Sequence, residues 1–156
     1  MAAQLTLREV LEEAIQKEIL SRFLYIGLRQ RVKKQASKEA FQSLAEQEAQ
    51  HQRILEDYLR GRLPEGTLNS ELVVDSKIAD CLDQPEITPT MDLKQVFLFA
   101  AKREKAAYDL YSELASIHSQ GQARQLLENL ASQELEHKTR LEALYTEVAY
   151  PQTDGG

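Results

Sequence analysis

The chain has 156 residues, enough for one domain with a sizeable core. Its formal net charge is −6, from 19 Lys and Arg against 25 Asp and Glu. With no basic cluster, that balance argues against nucleic-acid binding driven by phosphate contacts. A single cysteine, Cys81, rules out a disulfide framework and an internal CxxC metal site and reads as an incidental thiol.

Glycine (6) and proline (4) are sparse, while Ala, Leu, Glu, Gln and Lys abound, which favours helix. Met1-Ala2-Ala3-Gln4 lacks the basic-then-apolar pattern of a signal peptide, and no apolar run approaches about 18 residues. A cytoplasmic protein that spans no membrane is expected.

Thr6-Leu7-Arg8-Glu9 reads as a capping box opening a helix that runs to about Lys34. Its inward line is Leu7, Leu11, Ala14, Glu18, Ser21, Tyr25, Leu28 and Val32, an apolar seam interrupted at mid-helix. Ser37 is the expected cap of a second helix, roughly 38–60, whose seam is Phe41, Leu44, Glu48, His51, Leu55 and Tyr58, with Gly61 as its stop. Residues 61–91 hold Pro64, Gly66, Pro85 and Pro89 and read as a turn-rich connector with a short helical piece around Ser76–Leu82.

Asp92, with Gln95 three residues on, caps a third helix that runs to about His118 along Leu93, Phe97, Ala100, Glu104, Ala107, Tyr111 and Leu114. After Ser119-Gln120-Gly121, a fourth helix over about 122–147 follows Leu127, Leu130, Glu134, His137, Leu141 and Leu144. Residues 151–156 read as a disordered tail.

Short loops within each half predict two antiparallel hairpins, about 7–60 and 93–146. The connector is long enough to return along a bundle of about 36 Å, at 1.5 Å for each of ~24 residues. The expected fold is therefore all-α: a single domain over residues 1–150, built as a four-helix bundle with one long crossover and a pseudo-twofold axis.

A repeat with one offset of 86 residues runs through this scaffold. Glu18 and Glu104 are each followed seven residues later by a tyrosine, Tyr25 and Tyr111. Thirty residues after each glutamate comes E-x-x-H, as Glu48–His51 and Glu134–His137. On a helix the three-residue spacing puts carboxylate and imidazole on one face. All six ligand-type residues interrupt their apolar seams at one level, and burying four carboxylates there costs several kcal/mol each without counter-charge. Two divalent metals supply it; one glutamate from each of two helices and E-x-x-H from the other two is the pattern of di-iron and di-manganese carboxylate bundles.

Tyr25 and Tyr111 are candidates to hydrogen-bond ligand carboxylates, or are simply core tyrosines. Tyr58, Tyr108 and Tyr145 read as packing or surface residues, and His118 as a helix C-terminal residue favoured by the dipole. Extra apolar residues outside the seams, Ile19, Phe23 and Ile26 in the first helix and Val96, Phe99 and Tyr108 in the third, suggest a thick core or a homodimer interface.

On the E-x6-Y and E-x-x-H motifs, the chain from residue 7 to 147 resembles the erythrin domain of rubrerythrin, within the ferritin-like superfamily. The resemblance implies two irons held by Glu18, Glu48, His51, Glu104, Glu134 and His137, with Glu48 and Glu134 bridging. It implies reduction of hydrogen peroxide in oxidative-stress defence; relatives oxidise ferrous iron or activate O₂. Two departures stand out. No four-cysteine rubredoxin module is present, so electrons would come from a separate, rubredoxin-type donor. Where rubrerythrin has an extra glutamate one turn from its helix-three ligand, Ala101 and Ala107 flank Glu104, which weighs against a redox-dependent ligand exchange.

The expected function is thus a di-iron oxidoreductase reducing peroxide. The alternatives are a ferroxidase that handles iron using O₂, or a bundle whose metal is structural. Manganese or a mixed pair would suit the same ligands, and the long connector permits hairpin swapping between subunits as well as an unswapped fold.

Overall fold

The computed structural model describes residues 4–63 and 65–150. Among them the chain forms α1 (Leu7–Arg31), α2 (Gln35–Leu59), the short α3 (Ser76–Asp80), α4 (Leu93–Ser116) and α5 (Gln122–Ala149). The expected tail at 151–156 lies outside the described residues, as do residues 1–3 and Pro64 of the connector. Among the described residues there is no strand, only an isolated antiparallel bridge between Thr6 and Val73, and no helix is long and apolar enough to cross a membrane.

α1 pairs with α2 and α4 with α5, and the two hairpins close into an all-α, ferritin-like four-helix bundle. The cross-bundle contacts give the directions. Tyr25 of α1 reaches Glu104 of α4 while Tyr111 reaches back to Glu18, so α1 and α4 run antiparallel. His51 of α2 meets Gln133 of α5 while His137 meets Gln47, so α2 and α5 do too.

Local chemistry explains most helix ends. Thr6 and Glu9 make a reciprocal capping box at α1, as do Asp92 and Gln95 at α4. α2 ends in a Schellman turn: Gly61, at φ +71°, donates its N–H to the Tyr58 carbonyl, and Arg62 donates to that of Asp57.

The α1–α2 turn departs from expectation. α1 stops at Arg31 because Val32 leaves the helix in an extended conformation and buries its side chain. α2 then starts early, at Gln35, with Lys34 at the cap position and no side-chain cap; Ser37 is instead a buried residue of its first turn. The Lys38 ammonium donates to the Arg29 carbonyl at 3.1 Å and so satisfies the end of α1.

The interior is split in two. One apolar cluster, with Leu7, Leu11, Leu55, Leu114 and Leu127, fills the end where α1 begins. The other, with Leu28, Phe41, Leu44, Phe97 and Leu141, fills the opposite end. Val96, expected on an outer face, is buried in the second cluster. Each fully buried Leu or Phe contributes about 1.5–3 kcal/mol, and between the two clusters lies a layer of buried polar side chains.

The connector crosses the length of the bundle and is fastened at the end where it leaves α2. Leu7 and Arg8, whose N–H groups have no partner within α1, donate to the carbonyls of Leu72 and Ser70 at 2.7 and 2.8 Å. His118 lies beyond the end of α4 and is 2% exposed. Its Nδ1–H donates to the Leu114 carbonyl, so its Nε2 accepts from the Tyr58 hydroxyl, both at 2.6 Å. That hydroxyl in turn accepts the N–H of Leu68 at 3.3 Å. Burial, reinforced by nearby Arg124, pushes the His118 pKa below its ordinary value despite the Leu114 bond. The expected dipole-favoured cation is therefore a neutral clasp, and Tyr58 is its partner.

Candidate metal centre

The polar layer contains Glu18, Glu48, His51, Glu104, Glu134 and His137, all buried. Each sits on the inward line of a long helix, flanked by apolar residues one turn away, so helix packing alone drives the six together. They form two overlapping sets, each with four ligand atoms within 4.8 Å of one another and able to hold a metal ion. Glu18, Glu48, His51 and Glu134 make one; Glu48, Glu104, Glu134 and His137 make the other. Glu48 and Glu134 belong to both.

The histidines show what the site demands. The Gln47 amide donates its Nε2–H to Ser43 Oγ at 3.1 Å, which points its Oε1 at His137 Nε2, 2.5 Å away. That imidazole nitrogen must carry the proton. Nδ1 is left with a lone pair, yet it faces Glu48 Oε1 at 2.7 Å and Glu104 Oε2 at 3.7 Å. His51 repeats the arrangement, with Nε2 on Gln133 Oε1 at 2.6 Å and Nδ1 at 2.5 Å from Glu134 Oε1.

With the imidazoles neutral and the carboxyls ionised these contacts set lone pair against lone pair, and both Nδ1 atoms and four carboxylate oxygens have no hydrogen-bond partner. A buried unmatched group costs about 1–3 kcal/mol, more when charged. A cation between each imidazole and its carboxylates turns every one of these contacts attractive, so the residues fit a metal pair.

Electrostatics point the same way. Burial, with repulsion from Glu104 and Glu18, pushes the Glu48 and Glu134 carboxyls well above their usual range. Burial opposes the charge on both His51 and Glu18, but a hydrogen bond with Glu48, then His51, holds the Glu18 carboxyl low, and Glu18 in turn raises the imidazole. Four carboxylates in one dry layer call for positive charge, and two divalent ions would balance them.

The tyrosines join the helices crosswise: Tyr25 donates its hydroxyl to Glu104 and Tyr111 to Glu18, each on the opposite helix. Burial, then the charge of the accepting glutamate, pushes both phenols well above their usual range, so they stay protonated donors. Each of those glutamates thus has one oxygen held by a tyrosine and the other, Oε2, left unpartnered in the site. Ala101 and Ala107 are both buried beside Glu104 and offer no further ligand.

Gln47 and Gln133 were not singled out by the sequence reading. Their signal was present, since each immediately precedes an E-x-x-H glutamate and they are related by the same 86-residue offset. They orient the imidazoles as a hydrogen-bonded outer partner does.

One cavity reaches the carboxylates, between α1 and α4, lined by Glu18, Glu48, Glu104, Glu134, Ser21 and Ala107 among others. Its free volume of about 10 Å³ has room for about one water-sized molecule.

No curated protein and no solved structure matches the chain. The family model for rubrerythrin matches residues 9–145, which reaches into all four long helices and includes all six ligand-type residues, and the chain belongs to the rubrerythrin family of non-haem di-iron proteins.

Proposed function

We infer that this protein is a peroxide-reducing oxidoreductase with a pair of metal ions, iron by its family, held by Glu18, Glu48, His51, Glu104, Glu134 and His137. The observation that carries the metal pair is the two imidazole Nδ1 atoms aimed at buried carboxylate oxygens, in two four-residue sets whose ligand atoms lie within 4.8 Å of one another. When bound and reduced, the pair supplies two electrons; hydrogen peroxide accepts them with two protons, its O–O bond breaks, and two waters leave. A separate one-electron donor protein of the rubredoxin type would restore the reduced state.

The chain's own residues set the conditions. Glu48 and Glu134, shared by both ligand sets, would bridge the ions. Tyr25 and Tyr111 hold Glu104 and Glu18 in place through hydroxyls that keep their protons. The apolar clusters above and below exclude bulk water. A cavity of about 10 Å³ admits a molecule of about the size of water and has no room for an organic substrate.

Stopped-flow oxidation of the anaerobic, iron-loaded, reduced protein tests this reading. The expected result is a much faster reaction with H₂O₂ than with O₂ at equal concentration. An O₂ reaction as fast or faster would make the protein a ferroxidase or oxygen-activating enzyme, and no spectral change with either would leave a structural metal site.

A further inference from the structure

The cavity at the carboxylates is also lined by residues that are not among the six ligand-type side chains. Arg103 precedes the α4 glutamate, Lys17 precedes that of α1, and Gln84 comes from the connector just after α3; all three line the cavity. Two long hydrogen bonds hold the connector here. Gln84 Nε2–H donates to the Arg103 carbonyl at 3.4 Å, and Arg103 Nη1–H donates to the Pro85 carbonyl at 3.5 Å.

Each of the two side chains nevertheless keeps one buried atom without a partner: the Nε–H donor of Arg103 and the Oε1 acceptor of Gln84. Buried polar groups are rarely left so, and an orphaned pair, one donor and one acceptor, describes the guest that would satisfy it. That guest both accepts and donates hydrogen bonds and is little larger than water. Hydrogen peroxide does both, whereas dioxygen has no proton to donate. The positive charges of Lys17 and Arg103 at the same mouth oppose passage of a divalent cation and leave a neutral hydroxyl-bearing molecule as the better guest.

We propose that Arg103 and Gln84 form a recognition station at the mouth of the metal centre, where the Arg103 Nε–H binds one oxygen of hydrogen peroxide and Gln84 Oε1 accepts its hydroxyl proton. Water occupies the station at rest. This selects peroxide over O₂ before either reaches the carboxylates, and it rests on the peroxide-reducing reading above.

Two measurements test it. In crystals of the metal-free protein, one ordered water is expected within hydrogen-bonding reach of both Arg103 Nε and Gln84 Oε1. A dry gap, or a direct bond between the two side chains, would overturn the proposal. In the iron-loaded, reduced protein, Gln84→Met and Arg103→Met remove one partner each at similar volume. The ratio of the H₂O₂ rate to the O₂ rate is expected to fall about tenfold, the worth of one hydrogen bond to a charged or well-placed group; an unchanged ratio would overturn it. If the parent protein does not react with peroxide at all, the functional reading fails, and the metal-free crystals still decide whether the station exists.

Discussion

Four of the six metal-type residues, Glu18, His51, Glu104 and His137, have a hydrogen-bonded support on another helix, and these supports give the sharpest predictions at the scale of single side chains. Gln47 fixes which nitrogen of His137 carries the proton, and so keeps Nδ1 free for a metal. Gln47→Leu should leave the fold intact but lower metal affinity by about 10- to 100-fold, as loss of an outer partner typically does; competition against a chelator of known affinity measures it. Glu134 belongs to both ligand sets, so Glu134→Ala should lose both ions rather than one. Elemental analysis after desalting checks this, and a variant that held two ions as tightly as the parent would break the assignment. The glutamates, histidines and tyrosines stood out in the sequence because their spacing repeats and because carboxylates are out of place on an apolar seam. Gln47 and Gln133 repeat just as faithfully, but glutamine is common on solvated helix faces and alarming nowhere. Only the geometry showed that they face an imidazole.

Among the helices and their connections, sequence-based expectation succeeded where a terminus is encoded by its own residues. The Thr6–Glu9 and Asp92–Gln95 boxes and the Gly61 turn lie where expected. It failed at the α1–α2 turn, where burial of Val32 ends one helix and Ser37 is absorbed into the next. It failed also at His118, whose partner Tyr58 lies 60 residues away, beyond the reach of any local pattern.

That buried clasp has a pH consequence. Burial lowers the folded-state pKa of His118 below its unfolded value near 6.5. The unfolded chain therefore takes up the proton first. The clasp's contribution to stability is complete above about pH 6.5 and is lost as the pH falls from there through the folded-state pKa. His118→Gln should be less stable than the parent at pH 8, and the gap should narrow on acidification over that range. Denaturant midpoints at several pH values measure it, and a gap that stays constant would mean that His118 carries no such linkage.

Taken whole, the molecule is two apolar clusters joined through a polar layer, and that layer wants cations. Metal loading should raise the thermal midpoint, since ions bound only by the folded state stabilise it by mass action. We propose that the outer face of α1 meets a second copy of the chain. Leu20 and Phe23 are 57% and 61% exposed, with Ile26 beside them. Sedimentation should give a dimer for the parent and a monomer for Phe23→Glu; a parent mass of one chain would remove the interface. The most direct test of the central claim is anomalous diffraction at the iron edge from crystals of the iron-loaded protein. Two ions roughly 3.5–4 Å apart are expected, both touching Glu48 and Glu134, one also bound by His51 and Glu18 and the other by His137 and Glu104. A single ion, or metal bound away from these six residues, would contradict the account.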